Sequence, residues 1–393
     1  MKIYSSKLDK KSDKAIVVDD MLLTVDMPTS AGSKMLDGYM SLFEAEAITR
    51  LKANGYDIVG KADVGEFSFD LLGETSCNGA IVKDGKLCNA SAEILKADEA
   101  VATVNLEVNG TVIRAAAQND LCAVKPTYGT VSRYGTVPVA CSGECVSVMS
   151  RNASVCREVL GVIAGHDDKD GTSLPEPYEY TSGVRRVAFL KSMTQGIDGE
   201  ISEKLSSFKA TLEKNGVEVC ELDDEVICLS NIAWNILMSS ELCNNVSRYD
   251  GVKYGHRAES FSGIDELYTN SRTEAFGELL KKTILFGSDN LSTENYMKVY
   301  DKALRIRRVI SEAFAKIFGE FDAVLMPACS TLSYGEDYIQ SNKDAAFTEN
   351  FYTAPASITG LPAVAVGGIQ LIGKAFSDMM LLEAAELCEK EGK

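Results

Sequence analysis

Histidine is nearly missing from this chain: His166 and His256 are the only two among 393 residues. A zinc centre would therefore lack its usual ligands, and a cysteine nucleophile would lack a positioned imidazole. Cysteine itself is not scarce, at eleven, but no two residues form a CxxC pair, and the closest two are Cys141 and Cys145. The others are scattered through apolar stretches such as Val155-Cys156 and Val219-Cys220, which reads as reduced, mostly buried thiols instead of a disulfide framework. No metal and no cofactor is expected. Basic residues are outnumbered 40 to 57, giving a net charge of −17 spread along the chain, so direct binding of nucleic acid is not expected. The one local cluster, Arg305, Arg307 and Arg308, reads as a solvated helix face. No run approaches the length of a membrane span, and residues 1–14 are polar and Lys-rich without the apolar centre of a signal peptide, so the expectation is a cytoplasmic protein with no membrane partner.

What is present can build a large core: 45% of residues are apolar and only 8 are proline. Residues 15–18 form a short β-branched run suited to a buried strand. Residues 44–54 follow as a helix with Ile48 and Leu51 on one face, and 57–60 read as the next strand. The same alternation returns at 186–190 (strand), at Ile201, Leu205, Phe208 and Leu212 (one helical face, stopped by Gly216) and at 217–222 (strand). A long helix over 294–318 precedes an apolar strand at 323–326. Alternation of this kind predicts an α/β fold with a largely parallel sheet. A single domain over 1–393 is expected, with a possible helical subdomain at about 231–286.

Several strings resemble the amidase-signature family in order and spacing: Ile58-Val59-Gly60-Lys61 with Glu66-Phe67, then Val124-Lys125-Pro126-Thr127-Tyr128-Gly129, and Val131-Ser132-Arg133-Tyr134-Gly135. The block from Ser247 to Gly255 and the end of the chain, Pro355 to Val364 with Gln370-Leu371-Ile372-Gly373-Lys374, resemble its tRNA-dependent branch, the A subunits of glutamyl-tRNA(Gln) amidotransferase. The resemblance implies a central twisted mixed sheet covered by helices on both sides. It also implies a subunit that releases ammonia from glutamine for a partner, with B and C subunits, or an authentic A subunit, as possible partners. Relative to that family, the chain is expected to lack a helical region before the first strand, and only Gly-Gly-Ile stands between Val366 and Gln370.

Members of the family resemble one another in using a nucleophilic serine, a relaying serine and a lysine base. Carried over residue by residue, the lysine position falls on Val18 in Val17-Val18-Asp19-Asp20, and the nucleophile on Val112 in Gly110-Thr111-Val112-Ile113-Arg114. By spacing, the relay falls on Cys88. Valine has neither a lone pair nor a removable proton. The glycine-rich turn of backbone N–H groups that would stabilise an oxyanion keeps only Gly110. For substrate recognition, the arginine region falls on Lys282-Thr283, the aspartate on Asn350 and the tyrosines on Trp234-Asn235. Thr283 cannot pair with a carboxylate as a guanidinium does, and Asn350 cannot balance an ammonium. Lys83, in a string that mimics the lysine motif, and the hydroxyls of Ser91 and Thr111 are the remaining candidates near the site. The expectation is a protein without the Ser-Ser-Lys triad that acts by binding or regulation. The alternatives are a thiol hydrolase built on Cys88 and an active glutaminase subunit.

Overall fold

The computed structural model describes residues 2–175 and 183–391. Eleven strands form one sheet: β1 (Tyr4–Lys7), β2 (Ala15–Asp19), β3 (Asp57–Ala62), β4 (Ala102–Glu107), β5 (Cys122–Lys125), β6 (Cys145–Ser150), β7 (Arg186–Leu190), β8 (Glu218–Leu222), β9 (Ala323–Pro327), β10 (Ala363–Val366) and β11 (Ile369–Gly373). Their order is β1-β3-β2-β4-β6-β5-β10-β11-β9-β7-β8.

The sheet is mixed, as the family resemblance implied, and this corrects the largely parallel sheet that the strand-helix alternation alone suggested. Parallel pairing is confined to the two flanks, β3-β2-β4 and β9-β7-β8. Every pair from β4 through β6, β5, β10 and β11 to β9 is antiparallel. The strand-helix alternation was legible only at the flanks, where helical crossovers join the strands. In the centre, β10 and β11 are joined by Gly367-Gly368 alone, with φ of 53° and 87°. Two successive residues at positive φ suit the tight turn whose twist matches an antiparallel hairpin, and glycine adopts them without strain.

The helices used below are α1 (Glu46–Ala53), α2 (Ala90–Lys96), α3 (Thr111–Gln118), α4 (Ala153–Ile163), α5 (Gly199–Lys214), α6 (Ser230–Val246), α7 (Ile264–Ala275), α8 (Glu278–Asn290), α9 (Asp301–Ile317), α10 (Ala354–Thr359) and α11 (Asp378–Glu391). The predicted stripe Ile201, Leu205, Phe208 and Leu212 is buried along α5, which is capped by Asp198 accepting from the Ile201 N–H at 2.9 Å. The helix expected over 294–318 begins instead with a π-helical turn, Tyr296–Tyr300, before α9. Successive strand residues face opposite sides. Val17 accordingly packs with Ala90 and Ile94 of α2 in a small apolar cluster, while Val18 joins the main core, and helices cover both faces of the sheet. Trp234, Leu237, Met238 and Leu242 of α6 and Leu280 of α8 belong to that same main core.

The basic cluster is not a uniform solvated face. Arg305 and Arg308 pair with Asp301 and Glu312 on their own helix. Arg307 turns inward and donates to the Ser142 carbonyl at 2.7 Å and its hydroxyl at 3.0 Å.

Candidate functional site

The turn from β4 into α3 is the centre of the site. Gly110 caps α3 at φ 86°, and a Cβ placed there would lie 2.0 Å from Thr353 Oγ1, so only glycine fits. Beyond it, three backbone N–H groups point at one acceptor. Gly110 donates to Glu107 Oε1 at 2.5 Å, and Val112 and Ile113 donate to Oε2 at 2.9 and 3.0 Å. The start of a helix favours an anion through its unpaired N–H groups and dipole. Here the anion is the chain's own carboxylate, fully buried. Burial raises its pKa, opposed by the N–H groups and by Arg114 and Lys125.

Val112 is buried at the first turn of α3, and Val18 is fully buried in β2, level with Lys61 on one side and Val104 on the other. Both lie in the main core. Cys88 does not join them. A hairpin of Val82–Lys83 and Lys86–Leu87, turning at Asp84 and Gly85 with positive φ, leads into it. It is tied down by Leu87 N–H to Tyr334 O at 2.9 Å and by Cys88 N–H to Ile81 O at 2.8 Å. Cys88 therefore packs against the small cluster and faces a cleft shared with Gln118 and Asn119, at the opposite end of α3 from Val112. Burial, and then Glu93, push its thiol above the ordinary value. Lys83 and Lys96 are both occupied by Glu93, at 3.2 and 2.7 Å. Ser91 donates to Asn105 Oδ1 at 2.7 Å and Thr111 to the Asp70 carbonyl at 2.8 Å, so both hydroxyls are committed. Iodoacetamide at neutral pH is expected to alkylate Cys88 more slowly than free cysteine, since thiolate is the reacting form. Peptide mapping that finds faster labelling at Cys88 would restore the thiol reading.

The recognition positions are filled by a network of amides. Trp234, fully buried, donates from Nε1 to Asn109 Oδ1 at 3.2 Å. Asn350 donates to the same oxygen at 2.6 Å and to Asn235 Oδ1 at 2.7 Å, and it accepts from Asn231. Asn109 in turn donates to the carbonyls of Phe69 and Ala346, both at 2.9 Å. The structure thus brings Trp234 and Asn350 together with the turn that carries Gly110. Thr283 takes no part in this network, its hydroxyl donating to the Leu279 carbonyl of its own helix at 2.8 Å. Glu107, Asn109 and Asn231 were not among the residues that the sequence picked out. Two signals existed: a charged residue closing a buried strand three residues before a capping glycine, and asparagines four apart on an apolar helix.

Beside Val18 the charges are interlocked. Lys61, fully buried, meets Asp20 Oδ1 at 2.9 Å, Thr29 Oγ1 at 2.5 Å and the Pro28 carbonyl at 3.1 Å. Burial lowers its pKa and Asp20 counters this. Asp19 accepts from Leu106 N–H at 2.7 Å and Met21 N–H at 3.0 Å, yet burial pushes it up to about 7. Glu66, held by Ser33 at 2.6 Å and the Gly277 N–H at 2.8 Å, is also pushed up to about 7 by burial. A carboxyl whose pKa is raised on folding keeps its proton in the native state while the unfolded chain has lost it. Stability is then lost as pH rises from the unfolded value, near 4, through about 7. Urea unfolding should show the free energy falling by roughly 1 kcal/mol per pH unit or more between pH 5.5 and 7. A flat or rising profile there would contradict the assignment.

The family model described as Amidase matches residues 15–83 and 91–382. The unmatched gap between them holds the hairpin turn and Cys88. The A subunit of glutamyl-tRNA(Gln) amidotransferase from Lachnoclostridium phytofermentans is 32% identical over 407 residues, covering 95% of this chain and 82% of that protein. The protein of the same name from Streptococcus pneumoniae is 31% identical over 398 residues, covering 95% and 82%. The crystal structure of the corresponding A subunit from Thermotoga maritima superposes with a TM-score of 0.83 at 23% identity, covering 99% of this chain and 87% of that one. The urea amidolyase of K. lactis gives 0.83 at 20% identity, over 98% of this chain and 24% of its own. The last two likenesses speak for the fold.

Proposed function

The chain belongs to the amidase-signature family, and from that premise we propose that it is a non-catalytic relative of the glutamyl-tRNA(Gln) amidotransferase A subunits, acting by binding or regulation. The observation that carries this reading is Glu107: its carboxylate already takes the N–H groups of Gly110, Val112 and Ile113. Preorganised donors stabilise a developing oxyanion only when they are free to receive it, and a resident carboxylate would repel one. Val112 and Val18, at the family's nucleophile and base positions, supply no atom that can attack or accept a proton. The filled amide network at Trp234 and Asn350 leaves no charged pair for the two ends of an amino acid.

The partners in this reading are the amidotransferase B and C subunits or an authentic A subunit, beside which the chain would serve as a decoy or regulator. A pull-down from the native host that recovers none of these would count against it. The competing reading, an active glutaminase subunit, is favoured by the 32% identity to such a protein over 95% of the chain. Ammonia release from glutamine and asparagine separates the two. The protein, alone and with a B and C pair, is expected to stay at background beside an active A subunit; release near that control would overturn the proposal.

A further inference from the structure

A cavity of about 480 Å³ opens between α6 and α8. Its walls are apolar: Ile232, Ile236, Phe286, Val299 and Phe347. Its inner end is closed by the amide network, where Asn231 and Asn235 both donate to the Phe347 carbonyl at 2.8 Å, so the polar groups there are already paired. Ile232 is 61% exposed and Phe286 43%. Apolar walls left in water gain when an apolar body replaces that water, and a volume of this size suits a small ligand. The rim carries one cation and one anion: Lys282 Nζ and Asp344 Oδ1 stand 3.9 Å apart, too far for a hydrogen bond and close enough for one small head group to meet both.

We propose that this cavity is a binding site for an uncharged amphiphile, an aliphatic or aromatic body ending in a hydroxyl. A carboxylate head would meet Asp344 as well as Lys282, and an ammonium head Lys282 as well as Asp344, so for either charge the attraction to one group is offset by repulsion from the other. A hydroxyl accepts from the lysine and donates to the aspartate at once. The cavity adjoins the amide network through Asn235 and takes in Lys282, one of the positions that the resemblance gives to substrate recognition, but the ligand proposed for it is not an amino acid.

Calorimetric titration of the full chain with 1-octanol, octanoate and octylammonium tests this. One saturable site is expected, with 1-octanol bound roughly tenfold more tightly than either charged analogue. 1-Heptanol should bind about three- to fourfold more weakly than 1-octanol, the worth of one buried methylene. Phe286→Asp should weaken 1-octanol by at least about tenfold, while Phe286→Leu retains it. Ile232→Asp, at the more exposed wall, repeats the test if Phe286→Asp does not fold by circular dichroism. The proposal is overturned if 1-octanol shows no saturation, if octanoate or octylammonium binds equally well, or if the aspartate variants bind unchanged. It also falls if gel filtration shows a dimer that Phe286→Asp dissociates, since a second copy would then cover the cavity.

Discussion

Trp234→Ala is expected to destabilise the protein by about 3–5 kcal/mol, the range for removing a large aromatic side chain from a packed core. Trp234 is fully buried. Its ring lies so close to Gly143 that a Cβ on that glycine would come within 2.3 Å of it, so on that side the neighbour has no side chain with which to fill the hole. The change also removes one of the two donors to Asn109 Oδ1, leaving Asn350 alone at 2.6 Å. Trp234→Phe keeps most of the volume and should cost clearly less, which separates the packing from the hydrogen bond. Because this is the chain's only tryptophan, urea unfolding should be followed by circular dichroism. A loss below about 1 kcal/mol for the alanine variant would show that the ring is not the filler of this pocket.

Glu107→Ala should cost about 3 kcal/mol or more, because three buried N–H groups lose their acceptor together and an unmet buried donor costs about 1–3 kcal/mol. The diagnostic result is rescue. Once the side chain is gone, the start of α3 becomes an open anion cradle, so formate should restore part of the loss in a concentration-dependent way, with no such effect on the native protein. Equal responses of variant and native protein to formate would mean that the three N–H groups do not converge on one anion. Arg114, which donates to the Leu71 carbonyl at 2.7 Å and the Asn109 carbonyl at 3.3 Å, lies close enough to support a negative charge there with or without the glutamate.

What the sequence offered about this site was set by local order. Val18 lies one residue from the end of a buried strand and Val112 precedes an Ile-Arg pair, so their assignment rests on counting along the chain. Cys88 followed from the same counting, and a hairpin with its own turn at Asp84-Gly85 carries it to the far end of α3 from Val112. Glu107 was hidden for a different reason. It reads as the last residue of a strand, and only the path of the next six residues turns three N–H groups back onto it. The amide network was harder still, since Asn109 meets Asn350 across 241 positions of sequence. The fold shows the same division. Flanking strand-helix units were legible from periodicity, whereas the antiparallel centre depends on which distant strands pair, and the half-exposed edge strand β1, Tyr-Ser-Ser-Lys, has no apolar alternation to announce it.

The reach of that network sets an order of events during synthesis. Asn109 and Trp234 emerge early, but Ala346 and Asn350, their partners across the turn, lie far later in the chain. Contacts between residues so far apart form late, after the loop between them has been closed. Until Thr353 leaves the ribosome, the turn at Gly110 cannot assume its final seat against it, and the strands β10 and β11 that complete the middle of the sheet do not yet exist. The nascent chain therefore carries the two parts of the sheet without the pair of strands that joins them, and each part presents an unpaired edge until residues 363–373 arrive.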